Sequence, residues 1–315
     1  MECSNMTSSL KSFAFFMKQL ALIGPTASGK SDLAIKIAQQ IDAYILSIDS
    51  LSIYKEIDIV SAKPSKKELS LIKHFGINEL YPDEYFSVDI FIKLYQKVLK
   101  ECQKNGKNLV IVGGTSFYLK SLVEGLSKIP NANDAINKKV QIKLQDLEKC
   151  YQDLLKIDEA YISKISHTDS YRIEKALFIY EASGLTPSEW FLQNPPQAVI
   201  ENLPIFNIDV SREVLRERIK KRTQKMFAMG LVDEVSFLEQ KYSRLPHAMG
   251  AIGIVEVLEY LDAKVTKEQM LENISIHTAQ LAKRQQTFNR TQFQGVVCAP
   301  LETIENIILK SITLR

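Results

Sequence analysis

A short pattern near the start of the chain places the strongest constraint on its fold. Residues 20–23 form an apolar run with the length of a buried strand, and residues 32–38 carry apolar side chains at helical spacing. Between them lies Gly-x-x-x-x-Gly-Lys-Ser, the phosphate-binding loop pattern in its strand–loop–helix setting. Its members are Gly24, Pro25, Thr26, Ala27, Ser28, Gly29, Lys30 and Ser31.

The residue types of this loop suit an anionic ligand. Glycines allow backbone N–H groups to turn towards phosphate oxygens, and the N-terminus of the following helix adds positive partial charge. Lys30 would supply a full charge, and Ser31 a hydroxyl ligand for Mg²⁺. Since a chance match is expected in only roughly one chain in a hundred of this size, we predict phosphate binding.

Bulk properties exclude several classes of protein. The 315 residues are 45% hydrophobic, enough for a full core and for two domains. The net charge of +3 restricts any nucleic-acid surface to a local patch. Four scattered cysteines argue against a disulfide framework or zinc finger and favour a cytoplasmic protein. No apolar run has the length of a membrane span, so we expect no membrane partner.

The order of strand and helix signals predicts an α/β fold, with a P-loop NTPase-like parallel sheet and an inserted all-helical domain. Strand signals occur at residues 43–48, 108–112 and 205–209, whereas residues 128–203 show only helical patterns. We expect three or four helices there, the first a single amphipathic helix over residues 136–154. The predicted core comprises residues 17–127 and 204–315, and residues 1–16 form an extension that we expect to be disordered.

Two polar residues follow strands of this predicted core. Asp49 stands after the second strand, where ligands bind in α/β sheets, and is either a metal partner or a general base. Thr115 follows the pair Gly113-Gly114, which indicates that something approaches the backbone closely. The alternative for this pair is a tight strand-to-helix turn capped by Thr115.

Two later helices carry basic residues among apolar ones. In the helix predicted over residues 212–229, Arg222 shares a stripe with Leu215, Ile219 and Met226. A buried arginine needs an anionic partner, either a structural carboxylate or a ligand phosphate. In the last long helix, His277 is expected to be a satisfied core histidine. Arg284, beside Lys283, is a second candidate anion contact.

Taken in order, these segments resemble the bacterial tRNA dimethylallyltransferases, also called tRNA isopentenyltransferases. The resemblance covers about residues 18–293 and rests on residues 24–31, 47–58, 62–64, 112–126, 226–235 and 282–285. The chain departs from the family pattern at Val60-Ser61, around Ala251 and Ile254, at Ala279 and at Phe288.

The resemblance implies a reaction and its participants. The phosphate loop would hold dimethylallyl diphosphate with Mg²⁺, and the acceptor would be N6 of the adenine just 3′ of the anticodon in tRNA. Asp49, Thr115 and Arg222 would be catalytic, and the helical insertion would contact the anticodon stem-loop. We expect a monomer whose RNA contacts are Asp49, Ser50, Leu51, Ser52, Thr115, Ser170, Tyr171, Arg172, Ile173, Glu174, Lys283 and Arg284.

Two other functions use the same loop. One is a small-molecule or nucleotide kinase that binds ATP, and the other is an NTP-driven module that remodels nucleic acid. Against both, no acidic pair ends an apolar strand, although Asp209 is a possible lone metal ligand.

Overall fold

The computed structural model describes residues 17–131 and 133–313. The chain divides into two compact units, one made of Met1–Lys120 with Asn202–Arg315 and the other of Ser121–Glu201. The sequence predicts an insertion at residues 128–203, whereas the second unit begins seven residues earlier, at Ser121, and ends at Glu201. The extension expected at residues 1–16 lies outside the described residues.

The first unit is built on a parallel sheet that, within the described residues, has six strands in the order β3-β2-β4-β1-β5-β6. These are β1 (Gln19–Ile23), β2 (Ala43–Ser47), β3 (His74–Phe75), β4 (Asn108–Gly113), β5 (Ile205–Asp209) and β6 (Val297–Pro300). The central strands β1 and β4 are buried almost throughout, because a parallel sheet is covered on both faces.

Helices account for most of the remaining chain. They are α1 (Lys30–Gln40), α2 (Lys66–Leu71), α3 (Val88–Asn105), α4 (Ser116–Val123), α5 (Asp134–Lys143), α6 (Leu147–Ile157), α7 (Glu159–Ile162), α8 (Ser170–Ser183), α9 (Pro187–Gln193), α10 (Arg212–Ala228), α11 (Leu231–Tyr242), α12 (Ile254–Leu261), α13 (Lys267–Gln292) and α14 (Leu301–Thr313). A 3₁₀ turn, His247–Gly250, precedes α12.

Two large apolar clusters hold much of the first unit together, and a smaller one formed by Leu215, Ile219 and Ala282 packs against Ala27 of the phosphate loop. One cluster packs α1 and α14 against the strands β1, β2 and β4. The other packs residues 53–60 against α11, α12 and α13. The loop that follows β2 is therefore anchored in a core of its own, which restricts how far the residues after Asp49 can move.

The second unit is helical, as the sequence predicts, but its first helix was predicted wrongly. The apolar spacing over residues 136–154 continues through two helices, α5 and α6. The break occurs because Asp146 accepts a hydrogen bond from the Lys149 N–H and starts α6 afresh. Both helices pack on one core, so the spacing does not reveal the break. Among the described residues of this unit, α5 to α9 make five helices rather than three or four.

The predicted fold class, an α/β core with a parallel sheet and an inserted helical unit, is confirmed. Asp169 caps α8 by accepting from the Arg172 N–H, and Gly184 ends that helix at φ 73°, both as the sequence indicates. The two-residue strand β3 was not predicted, since two residues give no periodic signal.

Candidate active site

The phosphate loop has the backbone shape that its sequence requires. Ala27 and Gly29 are left-handed, at φ 62° and φ 90°, and Lys30 is the first residue of α1. The Ser28 N–H donates to the Pro25 carbonyl at 3.2 Å, and Lys30 Nζ donates to the same oxygen at 3.2 Å. Lys30 therefore lies folded over the loop at the positive end of a helix, where an anion is stabilised.

Helix α10 supports this loop through two arginines. Arg218 Nη1 donates to the carbonyls of Ala27 at 3.4 Å and Ser28 at 3.2 Å. Arg222 Nη1 donates to Thr26 Oγ1 at 3.2 Å. Arg222 thus faces inward, as its place on the apolar stripe predicts. Within the part of the chain that the structure describes it forms no ion pair, which leaves its charge available to a ligand.

Burial lowers the pKa of both cations in the site. Burial lowers the pKa of Lys30 to about 8, although nearby Asp49 favours the charged form and nearby Arg222 opposes it. Burial also lowers the pKa of Arg222, again against the effect of Asp49. Two partly desolvated cations beside a single carboxylate favour a polyanionic ligand, because it would compensate the charge that burial leaves unsolvated.

Asp49 is held by its own loop. Its Oδ1 accepts from the N–H groups of Leu51 at 2.9 Å and Ser52 at 3.1 Å, the geometry of an Asx turn. Thr115 Oγ1 accepts from the Ser50 N–H at 3.2 Å and donates to Ser50 Oγ at 3.3 Å. The structure thus joins the predicted segment after β2 to the predicted threonine after β4.

The paired glycines allow two close approaches, and in both the approaching group belongs to the chain itself. A Cβ on Gly113 would lie 2.9 Å from the backbone carbon of Ile48, and one on Gly114 would lie 2.5 Å from Gln285 Nε2. Gln285 Oε1 also accepts from the Thr26 N–H at 2.8 Å. Sequence reasoning missed Gln285, although it ends the matching segment at residues 282–285.

One cavity is lined by several of the predicted site residues, but the predicted catalytic residue Thr115 does not line it. Its polar lining includes Thr26, Lys30, Ser31, Asp49 and Arg222, and its apolar lining includes Ala34, Ile45, Ile77 and Val112. A larger cleft of about 930 Å³ lies between α10 and α13 and contains no residue of the phosphate loop. The smaller cavity is therefore the candidate active site, because the charged side chains and the phosphate loop both line it.

Known proteins with the same sequence features share a family. Residues 52–292 match the IPP transferase family. A tRNA dimethylallyltransferase of Sulfurimonas denitrificans is 67% identical over 296 residues, covering 94% of this chain and 100% of that protein. One of Nautilia profundicola is 55% identical, covering 93% of this chain and 99% of that protein. The chain belongs to the IPP transferase family.

Solved structures agree with the IPP transferase assignment. The tRNA delta(2)-isopentenylpyrophosphate transferase of Staphylococcus epidermidis superposes with a TM-score of 0.68 at 29% identity, covering 95% of this chain and 100% of that one. The full-length tRNA isopentenylpyrophosphate transferase of Bacillus halodurans gives 0.69 at 27% identity, covering 95% and 96%. The family assignment favours a prenyltransferase over the kinase and over the module that remodels nucleic acid.

Two further residues that sequence reasoning assigned no role shape the loop beyond Asp49 in this IPP transferase. The carboxylate of Glu234 accepts the N–H groups of residues 58, 59 and 60, at 3.0, 2.8 and 3.0 Å. Lys63 Nζ, almost fully buried, donates to the Tyr54 carbonyl at 2.6 Å and to Asp58 and Asn78 at 2.7 Å each. Burial lowers the pKa of Lys63. These contacts of Glu234 and Lys63 hold the loop beyond Asp49 in one conformation.

The donor set of the cavity suits a hard divalent metal. Ser31 contributes a hydroxyl oxygen, a ligand type that suits Mg²⁺ when substrate phosphates supply further oxygens. Among the described residues, no group of three His, Cys, Asp or Glu side chains lies together, so protein atoms alone would not enclose an ion. Mg²⁺ bound through one or two side chains and substrate phosphates needs no such group. Asp209, considered from sequence, is exposed and does not line the cavity.

The remaining RNA candidates lie on two helices. Residues 170–174 begin α8 in the helical unit, where Tyr171 is 67% exposed and Arg172 pairs with Asp169 at 3.3 Å. Ile173 is fully buried in the core of that unit, so its side chain serves packing and is not available to RNA. Lys283 and Arg284 are exposed on α13.

The expectation for His277 was wrong in one respect. Its side chain is 47% exposed rather than enclosed, and Nδ1 lies 2.6 Å from the buried carboxylate of Glu256. Glu256 also accepts from the Gly253 N–H at 2.6 Å. The partly exposed histidine therefore contacts the carboxylate of a buried glutamate. Separately, none of the described helices is both long and apolar enough to span a membrane.

Proposed function

We propose that this protein transfers a dimethylallyl group from dimethylallyl diphosphate to N6 of the adenine immediately 3′ of the anticodon in tRNA, and releases diphosphate. The observation that carries the proposal is the meeting of Lys30, Arg222 and Asp49 in one cavity beside the phosphate loop. The names of the relatives support the same reaction.

The leaving group is the first requirement of this chemistry. As the allylic carbon–oxygen bond breaks, its electron pair passes to the diphosphate, and the barrier falls when that charge is stabilised. Lys30, Arg222 and the loop N–H groups supply positive charge and hydrogen-bond donors. Mg²⁺, held by Ser31 and substrate oxygens, would neutralise further charge on the phosphates.

The acceptor amine is the second requirement. The N6 lone pair of adenine is delocalised into the ring, so the amine is a poor nucleophile. Asp49 accepts its proton or orients it while the nitrogen–carbon bond forms. Because Leu51 and Ser52 hold Oδ1, the other carboxylate oxygen is the one left to face the amine. Thr115, fixed by Ser50, offers its hydroxyl to the base.

The RNA must present this adenine outside its stacked loop. Enzymes that act on a base within folded nucleic acid extrude it into a pocket, and the cost of unstacking is a few kcal/mol. We propose that the anticodon stem-loop is contacted by Tyr171, Arg172 and Glu174 on α8 and by Lys283 and Arg284 on α13. Side-chain contacts to the sugar–phosphate backbone of RNA position the RNA without reading its sequence. We further propose that the protein acts as a cytoplasmic monomer.

Label transfer tests the function directly. The full chain is incubated with radiolabelled dimethylallyl diphosphate, Mg²⁺ and unmodified tRNA, and ATP hydrolysis is measured in parallel. We expect label in the RNA and no ATP turnover. ATP turnover without prenyl transfer would instead support a kinase on the same loop.

A further inference from the structure

His74 lines the same cavity as Lys30 and Ser31, although the proposed reaction gives it no contact. The register of the sheet explains its position. His74 of β3 pairs with Ile45 of β2, and paired residues of neighbouring strands face the same side of a sheet. Side chains two residues apart along a strand share a face, so Ser47 lies on that side as well. Since Ile45 and Ser47 also line the cavity, these two strands present a serine and a histidine to it.

Helix α1 covers this face of the sheet and brings Ser31 to it. The helix packs against β2 and β4. Ser31 and Ala34 are three residues apart on one side of α1, and both line the cavity. Ser31 is the residue of the phosphate loop whose hydroxyl suits a metal. The hydroxyls of Ser31 and Ser47 and the imidazole of His74 therefore share the space between α1 and the strands.

One hydrogen bond fixes the tautomer of His74. Its Nδ1 lies 2.8 Å from the carbonyl oxygen of Ile72, and a carbonyl can only accept, so Nδ1 carries a proton. Burial lowers the pKa of His74, against the opposing effects of this hydrogen bond and of Glu68, and so favours the neutral ring. In that neutral ring Nε2 is a hydrogen-bond acceptor. No group among the described residues donates a hydrogen bond to Nε2, which leaves it to a ligand in the cavity.

A ligand in this cavity must offer a hydrogen-bond donor to match Nε2. The oxygens of a fully ionised diphosphate only accept hydrogen bonds, so they do not match it. Mg²⁺ bound through one or two side chains and substrate phosphates keeps several waters. A water coordinated through its oxygen directs its protons outward and donates them. Coordinated water is thus the part of a magnesium–diphosphate complex that suits an acceptor nitrogen.

We propose that His74 is a positioning residue whose Nε2 accepts a hydrogen bond from a water of the Mg²⁺ ion that Ser31 and the diphosphate bind. The inference rests on the proposed function, which supplies the diphosphate and its metal. Groups that hydrogen-bond to the ligands of a metal orient those ligands, and their loss typically lowers metal affinity by about tenfold to a hundredfold. His74 would therefore act on the leaving group through the metal, without touching the reacting atoms.

Two substitutions separate this role from a purely structural one, because the two roles use different ring nitrogens. His74→Asn places its amide near the position of Nδ1, so it keeps a donor for the Ile72 carbonyl and loses the acceptor that faces the cavity. His74→Gln places its amide near the position of Nε2, so it keeps that acceptor and loses the hydrogen bond to Ile72. His247→Asn, exposed on the 3₁₀ turn, is the matched control.

Calorimetry with inorganic diphosphate measures the effect without RNA or turnover. Each full-chain variant is titrated once with excess Mg²⁺ and once with EDTA. We expect His74→Asn to bind diphosphate like the parent in EDTA and about tenfold or more weaker than the parent in Mg²⁺. His74→Gln should recover most of that loss, and His247→Asn should match the parent in both conditions. All variants should melt within a few degrees of the parent.

Several results would overturn the role of His74. The parent and His74→Asn could bind magnesium diphosphate equally well, or the parent could gain no affinity from Mg²⁺. An equal loss in EDTA would place a charged imidazole on a phosphate oxygen instead. A loss in His74→Gln but not in His74→Asn would show that only the hydrogen bond to Ile72 matters.

The binding experiment also separates this inference from the proposed function. Failure of the parent to transfer the dimethylallyl group to tRNA would contradict the function and leave the magnesium-dependent difference between His74→Asn and the parent intact. Normal transfer by the parent, with an unchanged affinity of His74→Asn for magnesium diphosphate, would overturn only the role of His74.

Discussion

Arg222 in helix α10 donates a hydrogen bond from Nη1 to Oγ1 of Thr26 in the phosphate loop, at 3.2 Å. Residues 196 positions apart in the chain therefore share one cavity, and a partly buried cation without an ion pair among the described residues faces the predicted phosphate loop. The hydrogen bond to Thr26 positions the guanidinium for contact with a ligand before the ligand binds. Such preorganised charge acts on the transition state without further reorganisation.

Replacing Arg222 by alanine should slow the chemical step more than it weakens RNA binding. Loss of one preorganised group that stabilises developing charge costs about a hundredfold to a thousandfold in rate. Single-turnover transfer measured at saturating RNA reports the chemical step, and a binding titration reports affinity. Arg216→Ala, exposed on the same helix, is the control. A defect confined to RNA affinity would place Arg222 on the RNA surface instead.

Diphosphate affinity should depend on pH through Lys30. Burial lowers the pKa of this ammonium to about 8, so it is protonated below that pH in the free protein. A bound anion favours the charged form and raises the pKa. Affinity therefore receives the full contribution of Lys30 below about pH 8 and falls by up to about tenfold for each pH unit above it.

Calorimetry with inorganic diphosphate across this pH range measures the effect. Lys30→Arg keeps its charge throughout, so its affinity curve should contain only the titration of the ligand itself. Lys30→Ala should bind weakly at every pH. A parent curve that matches the Lys30→Arg curve would show that Lys30 does not titrate against the ligand.

Asp49 should be required for transfer but not for diphosphate binding. Removing a proton acceptor typically costs about a hundredfold to ten-thousandfold in rate. Asp49→Asn is the sharper variant, because its amide oxygen still accepts the N–H groups of Leu51 and Ser52 and preserves the loop. Rapid-quench kinetics and diphosphate titration separate the two properties. An active Asp49→Asn enzyme would contradict its assignment to the amine proton.

Arg172→Ala should weaken RNA binding uniformly and leave the rate at saturating RNA unchanged. Its side chain is exposed, and loss of one phosphate contact reduces the salt dependence of affinity by about one unit of slope. Lys156→Ala, exposed on α6 of the same unit, is the control. If RNA affinity depended on salt concentration with the same slope in both variants, the assignment of α8 to the RNA-binding surface would be contradicted.

The sequence predicts most of the core because its signals are local. The phosphate loop, the buried strands and the inward face of Arg222 follow from spacing over a few residues. Asp49 follows from its place at the end of a strand. The break between α5 and α6 was missed, since one apolar repeat continues through both helices on a shared core.

The residues that escaped prediction act across long separations. Gln285 meets Thr26 over 259 positions, and Glu234 meets the backbone at residues 58 to 60 over 174 positions or more. Neither lies in a pattern that local periodicity detects, because each serves backbone groups of a distant loop. His277 shares a face with apolar residues, yet its partner Glu256 comes from another helix.

Mass spectrometry of tRNA tests the central claim most directly. The adenosine immediately 3′ of the anticodon is isolated from cells that contain the protein, from cells that lack it, and from cells that carry only Asp49→Asn. We predict one five-carbon alkenyl group on N6 in the first sample and unmodified adenosine in the other two. The same alkenylated adenosine in cells lacking the protein, or its absence from cells that make the active protein, would contradict the account.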